Sequence, residues 1–324
     1  MSLLLLALLA ATSSALTATP VPLPGGPGPI TMDYLAADPD LARVWVPAGN
    51  GRVDVIDAST LSVTSIEGFE TERRNDRLLG PSSVTVGDGF AWVGNRANSA
   101  ICAIDAKSLE RKGCLVLPSP PDGLAWIAPT QEVWVTTPRD QSLTLVDVKK
   151  PGTPLLSTKI PLPGAPEGYA VDAERGLFYT NLEDKDRTLA IDVKTRKIVS
   201  TWNPRCGEDG PRGLVLDAAR GHLFVACTDR VKTLSTRNGA VLGEIGAGAG
   251  IDNMDEDLRT HTLYVAAGKA ATLTLVRASE KGALTKVASA PTAKGARVVV
   301  VGGKGAAFVA DSAGGRVLVL RQTP

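Results

Sequence analysis

The chain has 324 residues, with 35 Lys and Arg against 34 Asp and Glu, 33 glycines, 22 prolines and only 4% aromatics. This balance lacks the basic excess of a dedicated nucleic-acid binder, and frequent Gly and Pro between short Val, Leu, Ile and Thr runs favour an all-β chain over a helical one. A chain of this length buries about three quarters of its extended surface, enough for a core without metal or disulfide support.

Residues 1–15 read as a signal peptide. Leu3 to Ala11 is an apolar run, and Ser13, Ser14 and Ala15 offer small residues for cleavage after Ala15. Met1-Ser2 lacks the usual basic residue, and the run is too short to span a membrane. The expected product is one domain over 16–324, in the periplasm or outside the cell, with no membrane span.

From there a repeat governs the chain. Hydrophobic–aromatic strands recur at Val44-Trp45-Val46, Ala91-Trp92-Val93, Val133-Trp134-Val135, Leu177-Phe178-Tyr179, Leu223-Phe224-Val225, Leu263-Tyr264-Val265 and Ala307-Phe308-Val309. Taking the central residues as 45, 92, 134, 178, 224, 264 and 308, the steps are 47, 42, 44, 46, 40 and 44. That period belongs to four-stranded propeller blades. After most aromatic strands a further strand ends in an acid, as in Val53-Asp54-Val55-Ile56-Asp57 and Leu189-Ala190-Ile191-Asp192. A turn follows, where Asp and Thr side chains bond nearby amides.

The seventh unit, about Gly295 to Leu320, lacks an outer strand. Thr19-Pro20-Val21-Pro22-Leu23-Pro24-Gly25-Gly26-Pro27 aligns with Thr158-Lys159-Ile160-Pro161-Leu162-Pro163-Gly164-Ala165-Pro166, an outer strand leading into the next blade. Thr19 to Leu23 therefore completes blade seven (295–320), and its prolines suit an edge. The expected fold is an all-β, seven-bladed β-propeller of four-stranded antiparallel blades, closed by its N-terminal strand.

The run Val53-Asp54-Val55-Ile56-Asp57-Ala58-Ser59-Thr60, placed after its aromatic strand, resembles the YVTN-type β-propeller repeat family. The tetrapeptide itself is absent, Phe178-Tyr179-Thr180-Asn181 being its nearest echo. The resemblance covers nearly all of the mature chain. It implies the fold and a secreted or surface setting, but no single activity: the family is functionally mixed and includes relatives with lactonase or other activities.

Function is expected on the top face. Pro121-Asp122-Gly123, Pro166-Glu167-Gly168 and Pro211-Arg212-Gly213 place Asp122, Glu167 and Arg212 at the channel mouth, and alignment adds Asp252 and Asn253 from blade six. The same residues also read as solvated turns. Blade six is unusual: where blade five has Val215 and Leu216, it has Asp255 and Glu256, acids that line the channel and could hold a cation. They also read as a frayed strand in channel water. A charged insertion from Gly68 to Gly80 carries Arg73 and Arg74, and neighbouring loops bring Arg96 and Arg139, guanidiniums suited to a carboxylate or phosphate.

Four cysteines suit an oxidising compartment. If Asp105 faces Arg111 across its hairpin, Cys102 faces Cys114, and Cys206 and Cys227 share the top face. The expected disulfides are Cys102–Cys114 and Cys206–Cys227; free buried thiols are the other reading.

His222 and His261 fall in bottom-face turns, which argues against a His-based triad or a His-rich metal site. Gly246-Ala247-Gly248-Ala249-Gly250 leads into a strand and offers no helix N-terminus to a phosphate. The leading expectation is a monomeric binding module, without cofactor or catalysis, that takes a small ligand, peptide or partner protein at its top face. The rival is a lactonase-like hydrolase in which Asp252, Asp255, Glu256 or Glu167 hold a divalent cation. A structural scaffold is a third reading.

Overall fold

The computed structural model describes residues 16–26 and 28–322, so the signal segment predicted over 1–15 lies outside the described residues. Among those residues the strands form seven four-stranded antiparallel sheets. Each of the first six blades runs from inner to outer strand in chain order. They span Ala36–Asp38 to Val63–Ile66, Pro81–Gly87 to Arg111–Val116, Leu124–Ile127 to Leu155–Pro161, Pro166–Asp172 to Ile198–Trp202, Leu214–Asp217 to Val241–Gly246, and Ile251–Asp257 to Leu284–Pro291. Blade seven joins Val299–Val301, Ala307–Asp311 and Arg316–Gln322 to the N-terminal strand Leu16–Pro22. The expected closure is present, beginning three residues earlier than the sequence suggested.

The repeat aromatics pack each blade against the next. Trp45 meets Val84 and Val93 of blade two, Trp92 meets Val133 and Val135 of blade three, and Phe308 meets Val44 and Val46 of blade one. Blade four corrects the sequence reading. Tyr179, opposite Ala170, occupies the place that Trp134 holds opposite Ala125, and it packs toward Leu214 of blade five. Phe178 faces back to Trp134. With Tyr179 as the repeat residue, the steps of 44 and 46 become 45 and 45.

Both expected disulfides are formed, with Cα–Cα separations of 4.1 Å and 5.2 Å. Cys102 does pair with Cys114, but a bulge after it sets Ile104 rather than Asp105 against Arg111. The Asp105 carboxylate instead caps the turn, accepting from the Lys107 and Ser108 amides.

Closure rests on few side chains. In the latch strand Val21 pairs with Val317, and Val21 and Leu23 are buried against Ile30, Val317 and Val319. Pro20 and Pro22 remain on the outer edge, where their missing N–H groups cost little. Val21→Asp would force a carboxylate into this seam. We expect it to lower stability by about 3 kcal/mol, since buried unpaired charge is among the few severe single-site defects. A urea titration checks this; an unchanged midpoint would mean that the latch does not close the ring.

Candidate functional site: the two ends of the central channel

The mouth follows from the register of the inner strands. In every blade one inner-strand residue lies opposite the repeat aromatic: Ala36, Thr85, Ala125, Ala170, Val215, Asp255 and Val300. Three positions earlier stand Asp33, Ser82, Asp122, Glu167, Arg212, Asp252 and Arg297, one from each blade. The glycine of the Pro-x-Gly openings explains how inner strands meet there. A Cβ on Gly168 would lie 2.4 Å from the Arg212 carbonyl oxygen, and one on Gly213 would lie 2.8 Å from that of Asp252. Only bare backbone lets adjacent strands approach so closely.

Arg96 is the hub on one side of the mouth. Its guanidinium pairs with Asp33 at 3.0 Å and also with Asp122, and its Nε donates to the Pro121 carbonyl. The Tyr34 hydroxyl donates to Asp122 at 3.2 Å, and the Tyr34 ring stacks on Tyr169 with centroids 5.9 Å apart. Opposite, Arg212 pairs with Glu183 at 2.6 Å and Arg297 with Asp252 at 3.3 Å. Glu167 stands apart: among the described residues no ion pair or hydrogen bond engages its carboxylate. Burial, then the charges of Asp122 and Asp252, push its pKa well above the ordinary range. Burial lifts Asp122 to about 6 despite Arg96, and raises Asp252 against the pull of Arg297. Below the mouth the channel encloses a cavity of about 390 Å³. Beside it Arg212, Lys269, Lys294 and Arg297 border a smaller basic pocket of about 290 Å³.

The structure thus brings together Asp122, Glu167, Arg212, Asp252 and Arg96, with Asn253 on the cavity wall. Arg73 and Arg74 lie on a two-stranded hairpin, Glu72–Arg74 with Arg77–Leu79, where Arg74 pairs with Glu72 at 2.9 Å. Arg139 sits in a short 3-10 turn, Pro138–Asp140. None of these three lines the cavity. Asp33, Tyr34, Ser82 and Arg297 were missed because their blades lack Pro-x-Gly. Counting back three residues from the position facing the aromatic finds Asp33, Ser82 and Arg297.

Asp255 and Glu256 line the channel cavity but lie below the mouth acids and do not join them. Successive strand residues face opposite ways. Asp255 turns to blade seven and accepts the Val301 amide at 2.7 Å, with burial lifting it to about 6. Glu256 turns toward Asp217 of blade five and reaches about 8, through burial and then the Asp217 charge. The ligand set of the hydrolase reading is therefore divided between the channel ends and blade seven. The expectation that both histidines lie far from the mouth fits the observed pairing of His261 with Asp217, the last residue of blade five's inner strand.

These features define a seven-bladed β-propeller with an acid-rich channel, and comparison with known proteins agrees on the fold. The chain is similar to the uncharacterized protein YncE of Escherichia coli (strain K12), 32% identical over 173 residues, covering 48% of each chain. YncE of Salmonella typhi is 29% identical over 219 residues, covering 62% of this chain and 59% of the relative. The chain thus spans about half to three fifths of the length of these relatives. No family model matches. Among solved structures, virginiamycin B lyase from Staphylococcus aureus superposes with a TM-score of 0.74 at 15% identity, over 95% of this chain and 100% of that one. A chain of the mitotic checkpoint complex gives 0.75 at 15%, over 100% and 98%. Hydrazine synthase from Kuenenia stuttgartiensis gives 0.74 at 14%, over 92% and 96%. At such identities the likeness is one of fold.

The raised pKa of Glu167 has a signed consequence. A carboxyl whose pKa is higher folded than unfolded stabilises the fold while protonated, and that stability is lost as pH rises through the folded value. Glu167→Gln removes the ionisation. Variant and wild type should melt together near pH 4.5, and the variant should melt higher by about 2 °C near pH 8. Thermal melts across pH check this; a gap that is flat or shrinks with rising pH contradicts it.

Proposed function

We propose that the chain is a non-enzymatic binding module of the periplasm or cell exterior, and that the channel mouth takes a cationic group of a small ligand or peptide. The carrying observation is the unengaged Glu167 in a ring where Asp33, Asp122, Glu167 and Asp252 meet three guanidiniums, one of them already held by Glu183. An ammonium group offers three donors and a charge that such a site lacks. The stacked Tyr34 and Tyr169 line the same cavity and add aromatic rings for a cation–π contact. Lys269 and Lys294 border the neighbouring pocket, where a peptide carboxylate would find positive charge. The two disulfides support an oxidising compartment, and the acid-terminated strand after the aromatic strand supports a place among YVTN-type repeat proteins.

Tri-lysine tests this reading by isothermal titration calorimetry at low salt. We expect binding that tightens as pH rises, because Glu167 must ionise, and that weakens at least about tenfold, or 1.4 kcal/mol, in Glu167→Gln. Tri-glutamate should not compete. Equal affinity for both peptides, or none for tri-lysine, overturns the reading.

A further inference from the structure

The lower end of the channel holds a second cluster, independent of the mouth. In blades one, four, five and six the inner strand ends in an aspartate, Asp38, Asp172, Asp217 and Asp257, whose Oδ1 accepts an amide of the following turn. In blades four and six the other oxygen is taken by a local arginine, Arg175 or Arg259, at 2.8 Å. Blade five departs from this. Arg220 lies 3.6 Å from Asp217 Oδ2 and pairs with Glu280 at 2.7 Å. Asp217 Oδ2 faces His261 Nδ1 at 3.1 Å instead.

Glu256 completes the group. Its counterparts in the other blades are Ala37, Val86, Trp126, Val171, Leu216 and Val301, all apolar. Being two residues after Met254, it shares that residue's face toward blade five. Its side chain is 1% exposed and neither carboxylate oxygen has a hydrogen-bond partner. One of them, Oε1, lies 3.8 Å from His261 Nδ1. A buried carboxylate with no donor is costly, and protonation or a cation relieves it.

We infer that Asp217, Glu256 and His261 bind a divalent transition metal, best matched by zinc. Their candidate ligand atoms all lie within 4.8 Å of one another. Zinc with bonds of about 2.0–2.2 Å in a tetrahedron separates its ligands by about 3.4 Å, so small side-chain movements close the set. One imidazole and two carboxylates suit zinc or manganese, whereas calcium takes six to eight oxygens. The Arg220 amide on Asp217 Oδ1, 3.1 Å away, fixes that carboxylate as an outer-shell partner would. His261 is about one-third exposed and gives the ion an approach from solvent. With three protein ligands, a fourth position falls to water.

The test uses the full chain after chelator treatment, titrated with zinc chloride by calorimetry. One zinc per chain is expected, with affinity reduced at least tenfold in both His261→Ala and Glu256→Gln, and no heat from calcium. Cobalt substitution of the wild type gives a readout independent of variant folding: the intense visible bands of four- or five-coordinate cobalt are expected. Absence of zinc binding, binding unchanged in either variant, or only the weak spectrum of six-coordinate cobalt overturns the inference.

Discussion

The close approach of neighbouring inner strands at the channel mouth governs the rest of this molecule. Where the Gly213 amide donates to the Asp252 carbonyl and the Asn253 amide to that of Arg297, backbones meet across blades without intervening side chains. Such contact brings one residue per blade to a common ring. Farther out, the blades diverge, and a repeat aromatic fills the gap at each interface, each almost fully buried. The same wedge geometry that demands large side chains outside demands glycine or small residues inside. The charged ring is thus a consequence of how the blades pack.

Blade six breaks its own repeat, and the break organises the channel. Val215 and Leu216 of blade five are replaced by Asp255 and Glu256 without loss of strand pairing. The Val301 amide partly compensates Asp255, while Glu256 has no such donor. In a repeat architecture, where each unit needs only to match its neighbours, one unit can carry polar groups while the others supply stability. Burial raises both carboxyls, as it does at the mouth, so both channel ends hold acids poised above their ordinary range.

Much of the fold was legible because it rests on local pattern. Aromatic spacing fixed the blade number, and the likeness of Thr19–Pro27 to Thr158–Pro166 located the latch. The error at Phe178 arose because two aromatics stand side by side and loop lengths vary by several residues, so spacing cannot separate them; cross-strand register does. The Cys102–Cys114 pairing survived a bulge that the hairpin count did not foresee, because the bulge lies beyond it toward the turn. At the mouth, Pro-x-Gly announced Asp122, Glu167 and Arg212, while Asp33 and Arg297 sit in openings without that signature. The grouping of Asp217 with His261 joins residues 44 apart across two blades, and no local pattern encodes it.

On the proposed reading, the channel mouth is where this protein meets its ligand. The chain has four tyrosines, distributed as natural reporters. Tyr34 and Tyr169 stack at the mouth, Tyr179 lies between blades four and five, and Tyr264 donates to the Gly305 carbonyl in a turn of blade seven. The direct measurement is NMR of tyrosine-labelled protein during titration with tri-lysine. The account predicts that the Tyr34 and Tyr169 ring signals move in a saturable way while Tyr179 and Tyr264 stay fixed. Saturable movement of Tyr179 or Tyr264 alone, or no movement at all, would contradict it.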